Sequence, residues 1–124
     1  MDNDVTIEQI QTIDETIKLT FDGKVVSRTT NAIKIVYKNQ GKLNNLIFER
    51  KSDNKILLGT LSQMNELEVN KITSFKHSVD GYIFNCQSKL NSFIFSDSLV
   101  EIIYDLILDN QILSHNILRI INKN

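Results

Sequence analysis

The 124-residue sequence predicts an all-β fold: a single domain over 1–124, built of short strands as a sandwich or a barrel. Three observations carry this. Short apolar runs recur along the whole chain, each followed by a turn signal. Several runs alternate apolar and polar residues, the period of a strand with one face in a core. Turn dipeptides that tolerate positive φ stand between runs where tight hairpins need them.

Taken in order, the first segment, "TIEQIQTI" at residues 6–13, is open to two readings. Ile7, Ile10 and Ile13 are spaced by three, and Thr6 with Gln9 would make a capping box for a short helix. Thr and Ile also suit a strand. "ETIKLTF" alternates Ile17, Leu19 and Phe21 with Thr16, Lys18 and Thr20, and Asp22-Gly23 reads as the turn after it. "KVVSRTT" leads into "AIKIVYK", where Ile33, Ile35 and Tyr37 share one face. "NQG" at 39–41 closes that run before "LNNLIFERK", and "SDN" at 52–54 separates it from "KILLGTL". Glu49-Arg50-Lys51 reads as a solvated strand end.

"SFKHSVDGYIFNCQ" carries the sharpest hairpin signal. Asp80-Gly81 between two alternating runs favours a two-residue type I′ turn. That register sets Val79 opposite Tyr82, His77 opposite Phe84 and Phe75 opposite Cys86, all on one face.

The last segment, "SLVEIIYDLILDNQILSHNILRII" at 98–121, has a helical alternative. Leu99, Ile103, Leu106, Asn110, Leu113, Ile117 and Ile120 follow heptad spacing, and Ser98 with Glu101 would cap the helix. A homodimer joined by that coiled coil, with the helix beside a β-sheet, would follow. The hairpin reading fits more residues. With Asp109-Asn110 as its turn, Leu108 faces Gln111, Leu106 faces Leu113, Tyr104 faces His115 and Ile102 faces Ile117. Ile dominates the stretch and Ala is absent from it, which favours strands.

Composition narrows the function classes. Fourteen basic residues nearly balance fifteen acidic ones, and they are scattered, so no stripe exists to neutralise phosphates or an anionic lipid surface. No nucleic acid and no membrane is expected as a partner. Cys86 is the single cysteine, the amino-terminal "MDNDVTIEQ" lacks an apolar signal core, and no eighteen apolar residues run together. The expectation is a cytoplasmic protein.

The pattern "VEIIYDLILDNQILSHNILRI" resembles the last two strands of the YwiB-like family of small bacterial proteins, at Tyr104, Asp105, Leu106, Ser114 and Asn116. "TFDGKVVSRTTNAIKIVYK", "KILLGTL" and "SFKHSVDGYIFNCQSKLNSFIF" fall in the same order as that family's earlier strands. Gly59-Thr60-Leu61 and Ser78-Val79-Asp80 depart from its pattern. The resemblance implies a calycin-like, lipocalin-like up-and-down closed β-barrel and no particular chemistry, and with it the expectation becomes a barrel of about eight to ten antiparallel strands.

Candidate site residues are few. Cys86 and His77, on one hairpin face, are residue types that can pair as a nucleophile and its base. Apolar neighbours would raise the thiol's pKa and leave it inert, so core packing is the preferred reading. Tyr104 and His115, as a cross-strand pair, would either satisfy each other or give a ligand one polar handle. No Walker, dinucleotide or metal-ligand spacing occurs, and no cofactor or metal is expected. The leading expectation is a non-enzymatic barrel that binds a small apolar ligand, with Tyr82, Phe84, Tyr104, Leu106 and His115 lining the interior.

Overall fold

The computed structural model of the chain describes residues 3–79 and 82–123, with the side chains of 77–79, 83 and 84 outside that description. Its strands are β1 (Asp4–Thr12), β2 (Thr16–Arg28), β3 (Ala32–Asn39), β4 (Lys42–Ser52), β5 (Lys55–Thr60), β6 (Gln63–Glu68), β7 (Ile72–Val79), β8 (Tyr82–Phe95), β9 (Leu99–Leu108) and β10 (Gln111–Asn122). All belong to one antiparallel sheet of ten, in the order β6-β5-β4-β3-β2-β1-β10-β9-β8-β7. Among the described residues there is no helix. The all-β barrel is therefore the fold, and neither segment with a helical alternative takes it.

Residues 4–12 form β1, which pairs with β2 on one side and β10 on the other. Two ladders satisfy its backbone, and its β-branched Val5 and Ile7 go fully into the core. A central strand position overrides the three-residue spacing that suggested a helix.

Residues 98–121 form the hairpin of β9 and β10 rather than a dimerising helix. Asp109 and Asn110 have φ of 52° and 62°, so both turn residues take the left-handed geometry of a type I′ turn. Gln111 pairs with Leu108 as expected, but the register slips between Ile112 and Ser114. Ser114 then faces Leu106, His115 faces Asp105, and Asn116 faces Tyr104. The expected pairs Leu106–Leu113, Tyr104–His115 and Ile102–Ile117 are thereby corrected. One extra residue in a strand flips everything beyond it to the other face. Leu118 and Ile120, which spoil the outer face in the simple register, become core.

A second correction concerns Asp22-Gly23. No turn lies there, because β2 runs straight through. Gly23 pairs with Val5 on one side and Tyr37 on the other. A Cβ on Gly23 would stand 3.0 Å from Ile35 Cγ2 and 3.1 Å from Ile7 Cδ1. The glycine leaves room for those two isoleucines to meet over the strand. By contrast, Gln40 and Gly41, at φ of 52° and 78°, do turn the chain between β3 and β4. The β7–β8 hairpin has the expected register, with Val79 opposite Tyr82 and Phe75 opposite Cys86. Its Asp80-Gly81 turn lies outside the described residues.

Inward-facing residues fill one end of the barrel. Val5, Ile7, Ile33, Ile35, Phe48, Ile56, Leu67, Leu90, Val100, Ile102 and Ile120 form this core. Phe48 is its centre, stacked on Phe95 at a centroid distance of 5.2 Å and tilted against Phe93 at 6.3 Å. On the outer wall, charges link four neighbouring strands. Lys18 Nζ lies 3.0 Å from Glu8, Glu8 lies 3.6 Å from Arg119, and Arg119 Nε donates to Glu101 at 2.7 Å. These are cross-strand neighbours of opposite charge, the arrangement that supports a sheet surface.

The two ends of the sheet, β6 and β7, meet without a ladder of their own among the described residues. The side chain of Asn65 on β6 takes its place: Lys76 N on β7 donates to Asn65 Oδ1 at 3.0 Å, and Asn65 Nδ2 donates to Lys76 O at 3.3 Å. A carboxamide has the same donor and acceptor as a peptide group, so it imitates one rung of backbone pairing. Nearby, Asn70 N donates to Leu90 O at 2.9 Å, tying the β6–β7 connection to β8.

Candidate functional site

Opposite the packed end, the barrel is open. The inward face of each strand continues past the core, but its residues become smaller or polar. In β1 the sequence Val5, Ile7 is followed on the same face by Gln9 and Gln11, set opposite Leu19 and Ile17 of β2. In β3 and β4, Ile35 opposite Leu46 gives way to Tyr37 opposite Asn44. In β9 and β10, Ile102 opposite Leu118 gives way to Tyr104 opposite Asn116. The result is a cavity of about 880 Å³ whose wall includes all of these polar residues.

Apolar and aromatic groups make up part of the wall. Phe75 stacks on Tyr104 at a centroid distance of 6.0 Å, and Phe21 lies against Tyr37 at 5.3 Å. Burial pushes the Tyr104 phenol up to about 12, and the Cys86 thiol beside it adds to the shift. Burial also raises the Tyr37 phenol. Both rings are therefore neutral hydrogen-bonding groups at physiological pH. Ile17 is 55% exposed although it points inward, because it stands at the mouth.

Carboxamides supply most of the polar part: Gln9, Gln11, Asn44, Asn45, Gln63, Asn65 and Asn116. Most are held by one end. Asn44 Nδ2 donates to Lys42 O at 3.1 Å, and Asn116 Nδ2 donates to Ser114 Oγ at 3.0 Å. Asn45 Oδ1 accepts from Leu61 N at 2.9 Å, which fixes the turn between β5 and β6. That turn also depends on Gly59, where a Cβ would fall 2.0 Å from Gln63 O. Among the described residues, the buried Nε2 of Gln63 has no hydrogen-bond partner.

The residues expected to line the interior are not all brought together. Tyr104 and Leu106 border the cavity. Tyr82 is 73% exposed: β9 begins to pair with β8 only at Gln87, so the hairpin tip that carries Tyr82 extends past its neighbour. The side chain of Phe84, on the same tip, lies outside the described residues. His115 lies on the outer wall with its side chain 62% exposed, and its Nδ1 is 2.6 Å from Asp105 Oδ1. The bulge that pairs His115 with Asp105 is what turned it out of the barrel.

Cys86 is half-buried, its thiol donating to Phe75 O at 3.4 Å. Burial raises its pKa, the direction that suppresses thiolate chemistry. The His77 side chain lies outside the described residues. No three His, Cys, Asp or Glu side chains lie together as a metal site among the described residues, and no described helix is long and apolar enough to cross a membrane.

The amide lining was missed in the sequence because Asn and Gln count as wet-face residues when each run is read alone. A signal was present in β1, where Gln9 and Gln11 continue the spacing of Val5 and Ile7 by twos.

Comparison with solved structures finds the crystal structure of the YwiB protein from Bacillus subtilis. The match has a TM-score of 0.61 and 11% sequence identity, and covers 98% of this chain and 91% of that one. At that identity the likeness is one of fold. No family model and no curated protein matches the chain.

Proposed function

We propose that this barrel is a non-enzymatic binding protein that takes one small molecule in its open end. The observation that carries the reading is the cavity of about 880 Å³. That volume falls within the roughly 300–1,000 Å³ typical of small-molecule sites. Its wall combines apolar surface from Tyr37, Phe75, Tyr104 and Leu106 with fixed carboxamides, a more polar lining than most such sites have. The Cys86 thiol beside Tyr104 is raised rather than lowered, the direction opposite to that of an activated nucleophile. The unpaired cysteine suits a reducing compartment.

Titration with N-phenyl-1-naphthylamine and with lumichrome tests the reading, each followed by its own fluorescence. Ile17→Trp places a larger side chain at the mouth from a position already half exposed, so it plugs the cavity without overpacking the core. The expected result is saturable binding of at least one probe to the wild type and its loss in Ile17→Trp. Isotherms unchanged by the plug would overturn it, as would a wild type that binds neither of these probes nor maltose nor decanoate.

A further inference from the structure

We propose that the ligand of this cavity is a neutral molecule with an apolar face and an edge that carries both hydrogen-bond donors and acceptors, as in a flat lactam-type heterocycle. The inference rests on the binding reading above and narrows it, replacing a purely apolar ligand with one that meets the amides.

Among the described residues, the wall offers a charged ligand no partner. Among the described residues that wall the cavity there is no Asp, Glu, Arg or His, and the one charged residue is Lys76. Lys76 alternates along β7 with Phe75, which is buried inward, so the lysine side chain belongs to the outer face. An anionic or cationic ligand head would enter without a counter-charge, which is heavily disfavoured in a partly dry site.

The amides are only partly committed. A carboxamide offers a donor and an acceptor from one planar group. Asn44 and Asn116 spend their N–H groups on Lys42 O and on Ser114, which leaves their carbonyl oxygens for a donor from the ligand. Gln63 presents the opposite need: its Nε2 is buried and lacks an acceptor among the described residues. An occupant that gives N–H or O–H to the first two satisfies them, and a carbonyl or hydroxyl on its edge supplies the third once the Gln63 amide turns toward the cavity. An apolar occupant would displace their water and return nothing, the loss that makes sites of this kind reject analogues without the matching groups.

The aromatic surface, in turn, asks for a face. Tyr104 and Phe75 are stacked together in the wall, and Tyr37 borders the same space. Rings of this kind take up flat heterocycles by stacking while side-chain amides read the heterocycle's edge. Sugars present the same mixture of apolar face and hydroxyl edge, so the source is settled by experiment.

Four probes decide it: lumichrome (a neutral heterocycle with an imide edge), maltose, N-phenyl-1-naphthylamine and decanoate. Binding is measured by shifts of the side-chain NH2 resonances of Asn and Gln. The expected result is that lumichrome, or maltose if the ligand is sugar-like, binds more tightly than the naphthylamine or decanoate. Gln63→Met, of similar shape and without the amide, should weaken the polar probe about five- to tenfold and leave the naphthylamine unchanged. If the naphthylamine or decanoate binds tightest, or Gln63→Met leaves the polar probe unaffected while Ile17→Trp still blocks it, this inference fails and the binding reading survives. If Ile17→Trp blocks nothing, both fail.

Discussion

Asn65 holds the barrel closed where its first and last sheet edges meet, and Asn65→Ala should open that seam. The side chain is 8% exposed and makes two hydrogen bonds to the main chain of Lys76, at 3.0 and 3.3 Å. Each such bond contributes roughly 0.5–1.5 kcal/mol net, so their joint loss is about 2 kcal/mol. Removing the amide also leaves the Lys76 N–H and C=O facing a gap, which keeps the figure from falling much below that. Urea denaturation should register it as a lower midpoint. Hydrogen exchange is the sharper assay, because it reads the seam alone. About 2 kcal/mol corresponds to roughly thirtyfold faster exchange at the Lys76 amide. Asn65→Asp retains the acceptor for Lys76 N and loses the donor to Lys76 O, so it should fall between the wild type and Ala. Unchanged exchange at Lys76 in Asn65→Ala would refute the clasp, whatever happened to global stability.

Three further outcomes are expected. Gly59→Ala should destabilise the fold by about 3 kcal/mol or more in urea, since its Cβ would stand 2.0 Å from Gln63 O and 2.9 Å from Met64 Cα, both backbone; a change under about 1 kcal/mol would mean the β5–β6 turn moves freely. Lys18, bonded to Glu8, and Arg119 beyond it hold the Glu8 carboxyl below its ordinary value of 4.5. A depressed carboxylate stabilises above its unfolded pKa and loses that stabilisation as pH falls through the folded one. The stability gap between wild type and Glu8→Gln should therefore be widest near neutrality and close as pH drops below about 4.5, and a pH-independent gap would contradict the ion chain. Cys86, with its thiol raised by burial and donating to Phe75 O, should react with iodoacetamide at pH 7 about tenfold or more slowly than glutathione, and at a normal rate in urea; fast labelling of the folded protein would contradict that burial.

Much of the fold was legible because strand alternation is a local property. The hairpin around Asp80-Gly81 could be paired residue by residue, and Asp109-Asn110 could be seen as a turn, since Asp and Asn tolerate positive φ. What stayed hidden depends on partners distant in sequence. Gly23 looks like half of a turn until Ile7 and Ile35 arrive from two other strands to occupy the space above it. The bulge between Ile112 and Ser114 has no glycine to announce it, and it reversed the faces of His115 and Asn116. The apolar residues at Leu118 and Ile120 were its trace, visible as a misfit with the simple register. The cavity was half legible for a related reason. Tyr104 and Leu106 lie on a run that is apolar by itself, whereas Asn116, Asn44 and Gln63 become wall residues only when three separate hairpins close around one axis.

The pairing of β1 with β10 joins residues from opposite ends of the described chain, Val5 with Asn122 and Ile7 with Ile120. Every other ladder in the sheet links strands that follow one another directly. The molecule is thus two meanders, β1–β6 and β7–β10, each assembled from hairpins that close over short loops. Such loops form in microseconds, but a contact across almost the whole chain must first give up far more chain entropy. Of all the ladders in the sheet, the β1–β10 join therefore carries the largest loop-closure cost. Until it forms, the interior edges of both halves stand open together, and that interval is when the chain is most exposed to pairing with the wrong strand, including one from another molecule.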